Sequence, residues 1–220
     1  DVEITAGALR AELWRAGPQE IVTRAALTGE EIGIALRLEG DTLLWQARSL
    51  NVLAVAAEED AARIELTARL RATEAADAAG ERLPGPERVD VEARIRFDRP
   101  WDGAALSERR PQPREIDLSE AALDWGGLAL RVAGDLTIDA EGVPTGRLVV
   151  QATNWRERLT AATESGQLPE SVADAVGAVA DLASRLSGRP DRLDLPLVLE
   201  GGRVRLGLLP LGTAPRLVLP

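Results

Sequence analysis

The sequence predicts a mainly β protein: an antiparallel meander of about ten strands with two helices near the C-terminal third. Apolar and polar residues alternate with a period of two along most of the chain, which is typical of half-buried strands. Clusters of Gly, Pro and Asp separate these runs at the spacing of hairpin turns. Helical periodicity occurs only between residues 154 and 187. We therefore expect a curved sheet, a sandwich, or an open barrel or groove.

The first half carries the clearest strand signal, at residues 88–98, where apolar side chains occupy every second position and charged ones the positions between. Including it, about six strands are expected before residue 100. The segment 73–87 contains Pro84, Gly85 and Pro86 and predicts a long exposed loop. The other predicted strands of this half are 2–15, 20–28, 32–38, 43–55 and 64–70.

The second half resumes the alternation after a Pro-rich link at 110–113. Gly126 and Gly127 predict a turn, Gly134 predicts a bulge or bend rather than the end of a strand, and 139–142 predicts a further turn. The chain is expected to end in a hairpin of 193–199 against 204–208. We interpret residues 1–220 as a single β-rich domain. Two halves, 1–109 and 114–220, joined by the Pro-rich link, are the alternative.

Two helices are expected between these strands. Asn154 can cap the first, and Glu157 can close a capping box. The second is predicted over 168–187, begins near Pro169 and stops at Gly188. Its apolar positions, expected to be buried against the sheet, are Val172, Val176, Val179 and Leu186.

The number of strands exceeds what two helices can cover. Two helices totalling roughly 30 residues, at about 1.5 Å of rise per residue, leave much of a sheet of about ten strands uncovered. Either the sheet closes on itself, or part of its apolar face remains as a groove. With an aromatic content of 3%, such a groove would be lined by Leu, Val, Ile and Ala, which suits flexible alkyl chains.

The composition excludes most catalytic chemistry. The chain has no His and no Cys, and all 26 of its basic residues are Arg. Zinc sites built from His and Cys, Ser–His–Asp triads, Schiff bases and Walker phosphate loops are therefore excluded. Asp and Glu alternate with Arg on outward strand faces, which is typical of cross-strand pairing. We expect a non-enzymatic protein with no catalytic residues, no cofactor and no metal site.

Two acidic segments that resemble ion sites are interpreted as connections. Residues 139–142 resemble a calcium loop, but Thr137 and Leu148 occupy the first and last ligand positions of that motif. The run 58–60 is expected to be a charged link between strands.

Charge and hydropathy restrict the partners. A net charge of −10 argues against nucleic acid, because binding phosphates requires a basic face. No apolar run approaches the roughly 18 residues of a membrane span. The chain opens at Asp1 directly into an alternating pattern. We interpret it as a piece of a protein whose targeting segment lies outside these residues.

The five Trp residues are distributed over the whole chain. We expect Trp45, Trp125 and Trp155 to anchor the core. Trp14 and Trp101, which have charged neighbours, are candidates for contact with a partner.

Three motifs of the second half carry a resemblance to a known family: 124–126 (DWG), 153–156 (TNWR) and 209–212 (LPLG). This half resembles the bacterial envelope domain-of-unknown-function family twenty-one twenty-five, and the first half is similar in style only. The resemblance implies an N-terminal membrane anchor outside this chain and a domain on the periplasmic side of the inner membrane. The rhythm of 134–142 is also similar to that of AsmA-type envelope proteins, which implies an apolar groove for lipid.

The predicted function is a membrane-anchored periplasmic β-scaffold that binds a hydrophobic ligand such as a lipid acyl chain. The alternative is a protein-interaction module of an envelope complex, with another envelope protein as partner. A carboxylate-dependent hydrolase is a remote third, which would require two carboxylates converging in a cleft.

Overall fold

The computed structural model of the chain shows one antiparallel sheet, and it describes residues 2–38, 41–77, 82–83, 86–164, 177, 181, 192–207 and 209–219. Eleven strands follow one another in chain order, and a short strand pairs off this path with one of them. Within these residues the sheet is not closed. The prediction of a mainly β antiparallel meander is therefore confirmed.

The strands are β1 (Val2–Ala16), β2 (Ile21–Leu38), β3 (Asp41–Ala56), β4 (Arg63–Asp77), β5 (Arg82–Leu83), β6 (Pro86–Phe97), β7 (Pro113–Trp125), β8 (Leu128–Ile138), β9 (Pro144–Thr153), β10 (Arg192–Glu200), β11 (Arg203–Leu206) and β12 (Leu209–Thr213). The helices are α1 (Gly103–Ser107) and α2 (Trp155–Glu164). Strand β6 pairs with β7, so one sheet runs through both halves of the chain.

The first half departs from the prediction in two places. The predicted strands 20–28 and 32–38 form the single strand β2, in which Glu31 has a positive φ of 51°. The predicted loop 73–87 was wrong at both ends, because β4 pairs with β3 as far as Asp77 and β6 begins at Pro86. Pairing with a long neighbour overrides the weak strand propensity of Ala and Glu there. Gly40 and Asp41 predict a tight turn between β2 and β3; Gly40 lies outside the described residues, and Asp41 begins β3.

The period-two pattern gives the sheet an apolar face and a charged face. One row across the apolar face consists of Leu13, Ala25, Ala54, Leu66 and Ala93. The adjacent row on the opposite face consists of Glu12, Ala26, Leu53, Thr67 and Glu92. The apolar face continues through β7 to β11, with Leu130, Ala152 and Leu193 in register.

Gly134 lies inside β8 with a φ of 138°, so the strand continues through this glycine, as predicted. The pairing of β7 with β8 shifts register between Leu118 and Ala121, beside the partner of Gly134. A bulge at this point increases the local twist of the sheet.

Helix α2 covers the apolar face over β9 and β10. Trp155, only 8% exposed, packs with Ala152, Leu193 and Leu195. Asn154 precedes the helix with a φ of 60°, and its side-chain amide donates a hydrogen bond of 3.1 Å to the Gly127 carbonyl oxygen. That bond ties the start of α2 to the β7–β8 turn.

Most of the predicted helix 168–187 lies outside the described residues, and so do Val172, Val176, Val179 and Leu186. Of that segment the structure describes Gly177 and Asp181, and both are helical. Asp181 forms an ion pair of 2.6 Å with Arg156 of α2.

Candidate functional site: an apolar groove

An apolar groove of about 350 Å³ lies on the apolar face of the first five full-length strands. Its walls are formed by aliphatic side chains and by two aromatic rings, with Arg24 as the one charged lining residue. The lining residues are Leu13, Val22, Thr23, Arg24, Ala25, Ala54, Ala56, Ile64, Leu66, Ile95, Phe97 and Trp101. The predicted Leu, Val, Ile and Ala lining is therefore found, with Phe97 and Trp101 added.

The link between β6 and β7 forms the end wall of the groove. The Trp101 carbonyl oxygen accepts a hydrogen bond of 2.6 Å from the Val22 N–H, so the link crosses the ends of β3 and β4 to reach β2. The Trp101 ring meets Phe97 edge-to-face, with centroids 5.6 Å apart. This geometry is favourable for aromatic pairs and fixes the Trp101 ring at the groove end.

Asp98 holds the base of this link. Its carboxylate accepts hydrogen bonds of 2.9 Å from the Gln112 N–H and from the Arg109 guanidinium, and Arg114 lies at 3.5 Å. Desolvation acts to raise the pKa of Asp98, but these donors together lower it below its ordinary value of 3.8. The ionised carboxylate is therefore the form that stabilises the link.

Asp102 anchors the helical turn α1, which sequence patterns did not predict. Its side chain accepts a hydrogen bond of 2.7 Å from the Ala105 N–H and is the N-cap of α1. The Ala105 N–H, together with Arg99 at 3.1 Å, lowers the pKa of Asp102 below its ordinary value. The side chain of Asp102 thus keeps the segment after Trp101 folded against the end of the sheet.

The C-terminal segment crosses the same end of the sheet as the β6–β7 link does. Gln112 and Leu219 form two reciprocal hydrogen bonds, of 3.0 and 2.9 Å, between the side-chain amide and the backbone. The Leu217 N–H donates to the Gly142 carbonyl oxygen in the β8–β9 turn, at 2.8 Å. Residues 98–112 and 214–219, together the end strap, therefore cross one end of the sheet.

The charged face carries cross-strand ion pairs, as predicted. Arg96 binds Glu115 at 3.0 Å, and Arg131 binds Glu120 at 2.7 Å. A recess of about 400 Å³ on this face is lined by Asp135 and by two further acidic residues, Glu115 and Asp117. Arg94 pairs with Asp117, so each of these two carboxylates is bound to an arginine.

Of the Trp residues predicted to anchor the core, one is buried and another is exposed. Trp155 is buried, as expected, but Trp125 is 38% exposed and stands beneath the Arg158 guanidinium at 5.6 Å, so its prediction as a core anchor was wrong. The side chain of Trp45 lies outside what the structure describes. Trp101 lines the groove, and Trp14 is exposed on β1 with Arg24 over its ring at 5.0 Å.

The two acidic segments are connections, as predicted. The Asp139 carboxylate accepts hydrogen bonds of 3.0 and 2.8 Å from the Glu141 and Val143 N–H groups inside the β8–β9 turn. Asp60 accepts one of 3.0 Å from the Ala62 N–H between β3 and β4. Within the described ranges, no three His, Cys, Asp or Glu side chains are grouped so that they could hold a metal ion.

The fold and the groove define a class of open, single-sheet β proteins with one apolar face. The chain belongs to the bacterial family DUF2125, described as an uncharacterized protein conserved in bacteria, which matches residues 2–215. The match begins in β1, so the resemblance is not confined to the second half. No curated protein and no solved structure matches the chain. In the part of the chain that the structure describes, no helix is both long and apolar enough to cross a membrane.

Proposed function

We propose that this protein is a non-enzymatic scaffold that binds a hydrophobic ligand, such as a lipid acyl chain, in the apolar groove. The observation that carries the proposal is the groove itself, with its nearly continuous apolar lining. Its volume of about 350 Å³ lies within the range of about 300–1,000 Å³ that is usual for ligand sites. Without a bound ligand, the groove would expose its apolar surface to water.

The chemistry of the lining favours an alkyl chain over a sugar or a base. Only Phe97 and Trp101 supply rings, and they pack on each other. Burying about ten methylene groups contributes about 8 kcal/mol, the free energy of a micromolar complex, before ordering costs are subtracted. We therefore expect micromolar affinity for long acyl chains and much weaker binding of short ones.

The proposed setting is the periplasmic side of the inner membrane, with an anchor outside this chain. This setting stays a prediction from the resemblance of the second half to an envelope family, and so does the weaker similarity to AsmA-type proteins. Protease added to spheroplasts that express the full-length protein should digest the domain. Protection of the domain until the inner membrane is lysed would contradict the proposed location.

Ligand binding is tested by titrating a fluorescent fatty acid into the protein and two matched variants. Ala25 lines the groove, whereas Ala26, the next residue on β2, lies on the opposite face. We expect Ala25→Trp to fill the groove and raise the Kd at least about tenfold, and Ala26→Trp to leave the Kd unchanged. Equal Kd values for all three proteins, or no binding by the wild type, would contradict the proposal.

A second candidate function is a protein-interaction module of an envelope complex. Strand β1 favours it, because its outer edge is open in the described structure and carries the exposed side chains of Leu9, Leu13 and Trp14. An open edge of this length is a template for pairing with another chain. Strand addition at this edge would use backbone hydrogen bonds for affinity.

A further inference from the structure

We infer that the open edge of β1 pairs with β1 of a second copy of this chain, antiparallel and centred on Ala11. The inference rests on the second candidate function, the edge as a protein interface, and names its partner. It is independent of lipid binding in the groove.

The edge of β1 has the surface of an interface. Leu9, Leu13 and Trp14 are exposed by 58%, 48% and 42%, and all three lie within six residues of one strand. Strand β1 spans 15 residues without Pro, a residue type with which proteins usually protect a free edge.

The opposite edge of the sheet is protected in the ways that β1 lacks. Strand β12 has five residues and contains Pro210, which has no N–H to donate. Its pairing with β11 is irregular between Val204 and Arg205. The contrast between the two edges indicates that β1 is the one built to accept a strand.

The sequence of β1 is complementary to itself when the strand is reversed about Ala11. Antiparallel pairing about this residue places Arg10 opposite Glu12 of the second copy, and Glu12 opposite its Arg10. Opposite charges in directly opposed positions stabilise antiparallel pairs, and like charges destabilise them. Within one copy Arg10 and Glu12 pair with each other, and their side chains are exposed by 76% and 36%, so each can exchange this partner for the opposite charge of a second copy.

The apolar residues of β1 match in the same register. Leu9 falls opposite Leu13 of the second copy, on the apolar face, and Trp14 falls opposite Ala8, where a small side chain leaves room for the indole. Leu13 also lines the groove. Pairing at β1 would therefore bring the grooves of two copies side by side on one continuous apolar face.

Charge exchange tests this register directly. Analytical ultracentrifugation of the wild-type chain should give the mass of two copies, twice 23.5 kDa. Arg10→Glu and Glu12→Arg each place two like charges opposite one another, once on each side of Ala11. Either variant should therefore raise the dimer Kd at least about tenfold. The double variant R10E/E12R restores opposite charges and should restore the dimer. An equimolar mixture of the two single variants should form a heterodimer.

The matched control is Arg69→Glu, which reverses an exposed charge on the interior strand β4 and should leave the dimer intact. Circular dichroism of every variant checks that the fold is kept. Any of three results would overturn the inference: the wild type is monomeric at about 100 μM, the single variants dimerise as the wild type does, or the double variant stays monomeric. A monomeric wild type that still captures another protein through β1 would retain the second candidate function and exclude the homodimer.

Discussion

The close approach of β8 and β9 at Gly134 gives a prediction whose size follows from the geometry. Gly134 has a φ of 138°, a region that side-chain-bearing residues rarely adopt. A Cβ at this position would overlap the Arg147 carbonyl oxygen and lie 2.9 Å from the Leu148 Cα, both in the backbone of β9. The substitution Gly134→Ala therefore strains its own backbone and pushes the two strands apart.

The two costs can be estimated separately. Backbone strain in a sparsely populated region costs about 1–3 kcal/mol. Forcing a methyl group into packed structure costs about 1–3 kcal/mol more. We expect a loss of about 4 kcal/mol in the free energy of unfolding and, for a chain of this size, a fall in Tm of about 10 °C.

Gly212→Ala is the matched control, because Gly212 has a similar φ of 122° but no atom within 4 Å of the Cβ position. It should show only the cost of backbone strain. Both variants are compared with the wild type by urea denaturation followed by circular dichroism. If Gly134→Ala is no more destabilising than Gly212→Ala, the strands are not as close at Gly134 as described and the reasoning fails.

Three further predictions concern the core, the end strap and the charged face. Trp155→Ala removes a buried ring and should lower the free energy of unfolding by about 3–5 kcal/mol. Trp125→Ala removes an exposed ring and should lower the free energy of unfolding by under about 1 kcal/mol. Urea denaturation measures both values. Asp98→Asn should destabilise the fold by about 1–2 kcal/mol at neutral pH. Folding lowers the pKa of Asp98, so the stability difference between the wild type and Asp98→Asn should be present above pH 3.8, the ordinary pKa of Asp. It should disappear as the pH falls through the lower pKa of the folded state. A denaturation series in which the stability difference does not change with pH would refute this role of the Asp98 carboxylate. Glu115→Gln and Asp117→Asn should abolish no turnover of esters, glycans or peptides, and reproducible turnover lost in either variant would defeat the non-enzymatic proposal.

The strands were predictable because apolar and polar residues alternate along each of them. In an extended chain this alternation places all the apolar side chains on one face. The turn at 139–142 was predictable for a local reason, since Asp and Gly have specific backbone roles in turns. The extension of β4 to Asp77 was not, because Ala and Glu carry little strand propensity and pairing with β3 decides it. Strand β12 escaped prediction because Pro210 and Gly212 resemble loop residues.

The existence of an open groove could be argued from the excess of apolar strand surface, but its position could not. The groove depends on Trp101 reaching back to Val22, a contact between residues 79 positions apart that no local pattern encodes. The charged neighbours of Trp101 suggested an exposed ring. In the structure these neighbours, Arg99 and Asp102, pair with each other at 3.1 Å and leave the ring to face the groove.

Photo-crosslinking tests most directly whether an acyl chain occupies this groove, as we propose. The full-length protein is incubated with a long-chain fatty acid that carries a photoactivatable group at its methyl end, irradiated, digested and mapped by mass spectrometry. We expect label on peptides that carry groove residues such as Ala54, Leu66 and Trp101, and we expect unlabelled fatty acid to compete it away. Label confined to the charged face, or label that unlabelled fatty acid does not displace, would contradict the proposal.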